Sequence, residues 1–320
     1  MKIKSLIIVA FLLFSFICFG QYTDVINSNR PGESFGAFSV GKSIFQSEAG
    51  FSILKEKHEL LDYEANGFGA EAVIRFGVFK EELEAILEIN YQNDTYVDIN
   101  GSFKRSGLRN TTLGAKYLIY DPFKYRKETV NLYSWKANHK FKWNQLIPAV
   151  AAYAGANINF SNNPFLFNNE PISKISPKVM LITQNKFSNG FVFVTNVFVD
   201  RIGTESQSIE YILTLTKGFN DRWSGFVENK GIKGDYYSDA IIRTGAAYLL
   251  TKNMQLDASV STNFKNTPTI FYFGAGLSWR FDANYKEVVL RDKSFKGDKK
   301  KKPSKKEKKN KRLDEVDLEK

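Results

Sequence analysis

Between residues 254 and 281 oily and wet side chains take turns. Leu256, Ala258, Val260, Thr262 and Phe264 form one row, which Phe271, Phe273, Ala275, Leu277, Trp279 and Phe281 continue after a break. Asp257, Ser259, Ser261 and Asn263, then Tyr272, Gly274, Gly276, Ser278 and Arg280, form the other. Successive side chains of an extended strand point to opposite faces, so this spacing predicts two strands, each with one apolar face. The same alternation recurs upstream and predicts about twelve strands in all. They cover 43–56, 67–79, 83–96, 108–120, 146–160, 175–186, 190–203, 207–219, 223–235, 239–251, 254–265 and 269–281. Many reach about twelve residues, twice the common strand of a soluble domain and enough to cross a bilayer at a tilt.

The connections alternate too. "FKEEL" (79–83), "KFSNGF" (186–191), "FNDRW" (219–223) and "LTKNMQ" (250–255) are tight turns built from residues that favour reversal. "KEKHELLDYEANG" (55–67), "VDINGSFKRSGL" (97–108) and "SNNPFLFNNEPISK" (161–174) are longer. Short turns at one end and longer loops at the other suit an outer-membrane barrel whose short side is periplasmic. The short loops at 204–207 and 265–268, and the long segment 121–145, depart from that scheme.

An alternating sheet can hide its oily face in a soluble sandwich or turn it to lipid in a barrel. The wet face here carries ionisable groups in mid-strand: Glu48, Glu71, Arg75, Glu84, Glu88, Lys116, Glu210, Glu228, Arg243, Asp257 and Arg280. Both architectures accommodate them. Rings collect where the oily faces reach the strand ends, among them Tyr91, Tyr117, Tyr120, Phe160, Trp223, Tyr248 and Trp279, as in the aromatic girdles of membrane barrels. In hydrocarbon an unpaired backbone group is costly, so such a sheet must close. The expected fold is therefore all-β: a transmembrane antiparallel up-and-down β-barrel. The eleven charged residues are expected to line the lumen, where they brace the wall by ion pairing or filter solutes. A twelve-stranded bore lies between the filled eight-stranded and the open sixteen-stranded kinds. Residues 21–42, polar and without alternation, are either a loose leader or a plug, with Arg30 reaching luminal acids.

Charge and composition sharpen the domain plan. The formal net charge is +11, but most of it sits in the Lys-rich run after residue 282, so the body is nearly neutral. That run cannot bury a core and is expected to be disordered. The opening "MKIKSLIIVAFLLFSFICFGQ" has a basic start, an apolar core and a small-x-small end, the form of a secretory signal peptide cleaved after Gly20. A lipid anchor at Cys18 is disfavoured by the bulky Ile17, and a retained membrane anchor by the short apolar run. Cleavage removes the one cysteine, so the mature chain has no disulfide. The expected organisation is a signal peptide at 1–20, a periplasmic or luminal segment at 21–42, the barrel at 43–281 and the tail at 282–320. An even strand number puts both termini in the periplasm. There the tail meets no nucleic acid. Anionic lipid headgroups, cell-wall polymer or an acidic partner suit it, as does a purely solubilising role.

Residues 27–53, "NSNRPGESFGAFSVGKSIFQSEAGFSI", resemble the start of an outer-membrane family named for a meta-pathway of phenol degradation, whose members are often labelled transporters. The family opens with D-R-P and then G-x-x-Q-x-E-x-G. Asn29-Arg30-Pro31 stands in the first place, with Asn for the usual acid, and Gln46, Glu48 and Gly50 match the second. "GFNDRWSGFVENKG" (218–231) and "GAAYLLTKNMQLDASVS" (245–261) are similar to the family's late hairpins. The family usually ends near a terminal Phe, a part Phe281 takes here, and the charged tail departs from that end. The resemblance implies a barrel that passes small organic, including aromatic, compounds.

Catalytic chemistry is not apparent. His58, beside Glu56 and Glu59 in the first outer loop, is the one candidate for a lipid-hydrolysing rim, and His139 stands in the long 121–145 connection. A single loop histidine is ordinarily solvated. Asp62, Glu64, Asp94 and Asp98 lack the spacing of a metal site, and no phosphate-binding loop or cofactor motif occurs. The expected function is passive transport, with a closed structural barrel that docks periplasmic or secretion partners as the alternative.

Overall fold

The structure is a computed structural model that describes residues 25–125, 133–134, 143–160, 163–165, 173–187 and 190–282. Twelve antiparallel strands close into a barrel, each hydrogen-bonded to its sequence neighbours, with the first returning to the last. They are β1 (Phe45–His58), β2 (Tyr63–Gly77), β3 (Leu83–Asp98), β4 (Gly101–Tyr120), β5 (Ala149–Ile158) and β6 (Ile175–Lys186). The second half comprises β7 (Phe191–Asp200), β8 (Ser208–Gly218), β9 (Trp223–Gly234), β10 (Ser238–Thr251), β11 (Met254–Asn263) and β12 (Thr269–Phe281). Closure runs from Phe45↔Phe281 to Lys57↔Thr269 without a slip, so no edge is left unpaired.

Side chains that alternate along each strand sort onto two walls. The outward wall exposes Phe51, Ile53, Phe68, Leu113, Val179, Leu181, Val197, Ile209, Val227, Phe273 and Leu277. An apolar belt of this extent around a closed sheet belongs against lipid, since soluble monomers expose only small patches. The predicted outward row from Leu256 to Phe281 lies on this wall. We call the end where Phe45 meets Phe281 the terminal end, and the other the loop end.

Two expected loops are strand instead. The segment 97–108 reverses within two residues, Ile99 and Asn100, and β4 starts at Gly101. Asn100-Gly101 is a tight-turn dipeptide, and Gly101 sits at φ +136, where a side chain would be strained. The segment 55–67 shrinks to the connection Glu59–Asp62, because the inward row of Leu54 and Glu56 runs on to His58. The barrel is thus taller on the β1–β4 side, where strands run from 14 to 20 residues, than the sequence suggests. The described part of 121–145 holds one turn of helix, α1 (Pro122–Tyr125), and a 3-10 turn at Trp143–Leu146. Other parts of it, His139 included, lie outside the described residues, as does the tail beyond residue 282.

The interior is not uniformly wet. Inward positions of β3 and β5–β8 supply Ile86, Ala151, Tyr153, Met180, Ile182, Phe198 and Ile212, which form one buried apolar cluster with Phe35 and Ala37. The expected sorting, greasy outward and ionised inward, therefore fails over this sector. Both faces of β6 are apolar there, so alternation carries no signal.

Candidate functional site

Residues 25–44 have no regular secondary structure, yet Ile26, Arg30, Ser34, Phe35, Ala37, Val40 and Ile44 are buried. Their polar contacts reach the inward faces of β1–β4, β6, β7 and β9–β12 in turn, which only a segment threaded inside the barrel can do. Every buried backbone N–H and C=O needs a partner, and a chain without ladder bonds must find partners elsewhere. Here the wall's side chains provide them. Glu48 accepts from the backbone N–H of Asn29 (3.2 Å) and Arg30 (3.3 Å). Glu228 does the same for Glu33 (3.1 Å) and Ser34 (3.3 Å). Asn196 grips both sides of Phe35, accepting from its N–H at 2.7 Å and donating to its carbonyl at 3.0 Å. Gln184 accepts from Ala37 N–H, and Glu84 from Val40 N–H, each at 2.8 Å.

Arg30 anchors the segment to the wall by its charge. Its Nε and Nη2 fork onto Asp257 at 3.2 and 3.0 Å, and its Nη1 pairs with Glu71. The guanidinium lies directly over Gly50 and Gly276, where a Cβ at either position would strike it. These two glycines face each other across the β1–β12 seam, and their missing side chains make the slot. Gln255 donates to the Arg30 carbonyl at 3.0 Å. Gln46 donates to Asn27 O (3.1 Å) and to Glu48 (2.7 Å). Arg30, Gln46, Glu48 and Gly50, the residues on which the family resemblance rests, thus meet in one place.

A second cluster holds the return leg. Arg75 pairs with Glu48 (3.3 Å) and Glu84 (3.1 Å), Lys116 pairs with Glu84 (2.8 Å), and all four side chains are fully buried. Buried charges are tolerated only when paired and hydrogen-bonded. The spare donors go to the inner segment: Arg75 to Asn27 O at 2.8 Å, and Lys116 to the carbonyls of Gly36 (2.6 Å) and Phe38 (2.9 Å). A third cluster joins Arg243 to Glu228 (2.9 Å) and Glu33 (2.5 Å), and Lys230 to Glu33 (3.0 Å) and Glu210 (3.2 Å). Burial acts to raise the Glu33 carboxyl, but Arg243 and then Lys230 overcome it and hold the group well below the usual carboxylate range. Between these clusters Phe35 packs against Tyr153, ring centroids 5.7 Å apart, closing the dry sector.

The pairing register puts all eleven charged candidates on the inward face. Beyond those described, Glu88 lies 3.9 Å from Lys178 and Arg280 is 3.4 Å from Asp282. Asn196, Gln184, Gly50, Gly276 and Glu33 belong to the site but were not among the sequence candidates. Neutral amides and glycines carry no charge signal, only the G-x-x-Q-x-E-x-G match points to Gly50, and Glu33 lies outside the strands whose alternation marks inward positions.

Toward the loop end the bore is lined differently. Arg105 pairs with Asp94 at 2.9 Å and lies 4.3 Å from the Tyr96 ring centroid and 5.3 Å from that of Phe165. Tyr96 packs on Tyr63, whose hydroxyl donates to Glu56 at 2.6 Å. His58 ends β1 rather than standing in a loop, accepting at Nδ1 from Leu61 N–H with its ring against Tyr63. Glu64 pairs with Lys57, and Asp98 caps Asn100 in the turn. Among the described residues no group of three or more His, Cys, Asp or Glu could hold a metal.

Comparison with known proteins bears on the fold and the family. Among solved structures, an outer-membrane channel from Pseudomonas putida F1 is similar at 10% identity and a TM-score of 0.51, over 78% of this chain and 99% of that one. The translocator domain of the autotransporter NalP from Neisseria meningitidis has 10% identity and a TM-score of 0.45, over 74% and 88%. The KdgM porin has 10% identity and a TM-score of 0.43, over 72% and 99%. No curated protein matches the sequence. A family model described as "Putative MetA-pathway of phenol degradation" matches residues 28–281, a span that takes in both the inner segment from Ser28 and the whole barrel. The chain belongs to that family.

Proposed function

We propose that the protein is an outer-membrane channel for the passive passage of small organic solutes, with residues 25–44 acting as a plug that must shift for solute to pass. One observation carries this reading. Glu33 and Glu71 are enclosed by the barrel, yet their side chains keep 40% and 46% of their surface accessible. Charged groups that are walled in but still wet line a water-filled bore, the setting in which side chains select solutes. The likeness to the P. putida outer-membrane channel supports this reading. On it, the eleven inward charges have a double task. Those at the terminal end hold the plug, and those facing open bore meet the solute.

The same reading puts both termini in the periplasm, with the terminal end of the barrel facing inward to the cell. The Lys-rich tail would then lie where anionic headgroups or an acidic periplasmic partner could meet it. Liposome swelling with a series of small solutes tests the channel. Folded protein that admits none of them, either as wild type or with Arg30 replaced, would contradict it.

A further inference from the structure

Nearly every inward-facing cation of the barrel has a carboxylate beside it. Arg75, Arg105, Lys116, Lys178, Lys230, Arg243 and Arg280 all have one within 4.0 Å. Arg109 does not. Among the described residues no carboxylate lies within 4.0 Å of it and its hydrogen-bond partner is neutral, the amide oxygen of Gln92, to which Nη1 donates at 3.0 Å, while the carboxylates of Glu56 and Glu33 act on it from farther off. It is exposed all the same.

Its direction is set by the backbone. The β3–β4 register runs Asn90↔Asn110 and then Tyr91↔Leu108, so Arg109 is the extra residue of a bulge. Asn110 faces inward, donating to Thr112 Oγ1 at 3.0 Å, and the bulge turns Arg109 to the same side, where it meets inward Gln92. Bulges re-aim side chains in this way, commonly at functional positions. The backbone is braced from outside the strand as well, since Asn163 donates to the Arg109 carbonyl at 2.7 Å.

We propose that Arg109 is the anion-binding residue of a solute site in the loop-end half of the bore, and that the ligand is a small aromatic carboxylate. A guanidinium presents two parallel N–H donors that match a carboxylate. One that is exposed in a walled bore, with no carboxylate within ion-pair distance among the described residues, favours anions over neutral solutes. The aromatic part follows from the surroundings. Tyr96, Tyr63 and Phe165 line the same half of the bore around Arg105, and Gln92, which holds Arg109, joins that group through Asp94. This site deepens the channel reading and rests on it only for its purpose, because a ligand entering from the loop end can bind while the plug stays seated.

The test is calorimetric titration of the full-length protein in detergent with benzoate, and with benzyl alcohol as an uncharged control. Wild type should bind benzoate, more weakly as salt is raised, and benzyl alcohol far less. Arg109→Gln should lose about tenfold or more in benzoate affinity, the loss of one charged hydrogen-bonded contact. Arg109→Lys, which keeps the charge without the fork, should fall between them. Benzoate that does not bind wild type, that binds no better than benzyl alcohol, or that binds Arg109→Gln equally well overturns the proposal. A failure here with conductance intact removes only the site. Benzoate binding without conductance leaves the site and removes the channel.

Discussion

The guanidinium of Arg30 forks onto Asp257 across 227 residues of sequence, lying flat over a seam where Gly50 faces Gly276. The pair fixes a stretch of chain, residues 25–44, that lies inside the barrel and has no ladder of its own.

Arg30→Ala leaves Asp257 buried and alone. Removing one partner of such a pair costs about 3–5 kcal/mol, which falls on plug docking and leaves the wall's ladder intact. The expected outcome is a barrel that still resists SDS at room temperature, with greater conductance and faster protease cleavage within residues 25–44. Asp257→Ala should resemble it. The double variant should show much less than the sum, since the two act as a unit.

Gly50→Val tests the slot without altering a charge. A side chain there occupies the space of the guanidinium, so Arg30 must leave although Asp257 and Glu71 remain. Conductance and protease sensitivity should rise as they do in Arg30→Ala. A Gly50→Val protein indistinguishable from wild type would mean that the slot is not needed.

The cluster of Arg75, Glu84, Glu48 and Lys116 belongs to the wall as much as to the plug. Glu84→Gln leaves two buried cations short of a counter-charge, at a cost of about 3–5 kcal/mol. It should lower the temperature at which the folded band is lost on unboiled gels. Replacing the surface pair Lys57–Glu64, whose side chains are more than half exposed, should change it little, since exposed pairs contribute about 0–1 kcal/mol.

Glu33 gives the pH dependence. Its carboxyl is lowered from the ordinary 4.5, so the folded state holds the charged form more tightly than the free chain does. The resulting stabilisation is complete above the free-chain value and is lost only as pH falls through the lower folded value. Facing it are Arg243, Lys230, Glu228 and Glu210. The contribution of Glu33 to plug docking should therefore be unchanged from neutral pH down to about 5 and should be lost only in stronger acid. Glu33→Gln should already be loosened at neutral pH.

Much of the fold was legible because a strand's period is two, and one residue of slip would exchange its faces. The rows around Asp257 and Phe273 fix β11 and β12 within two residues. The turn at Asn100-Gly101 went unread inside the segment 97–108, whose polar, Gly-containing residues resembled a loop and hid the first residues of β4. Over Val179–Ile182 both faces are apolar, so the dry sector left no trace in the alternation. The plug's bonding was the least legible part. Glu48 and Glu228 serve backbone N–H groups, which no side-chain pattern announces, and Phe35 finds Asn196 161 residues away.

Ser28 and Ser278 offer the most direct test, because their hydroxyls lie 2.7 Å apart, one on the inner segment and one on the wall. The sequence has a single cysteine, within the opening segment at position 18, so paired Ser28→Cys and Ser278→Cys changes create a reversible tether. Single-channel conductance of this variant, measured before and after reduction, should be absent while the disulfide is formed and return to the wild-type level with dithiothreitol. Equal conductance in both states, with the cross-link verified by mass, would show that solute passes without moving residues 25–44 and would contradict the account.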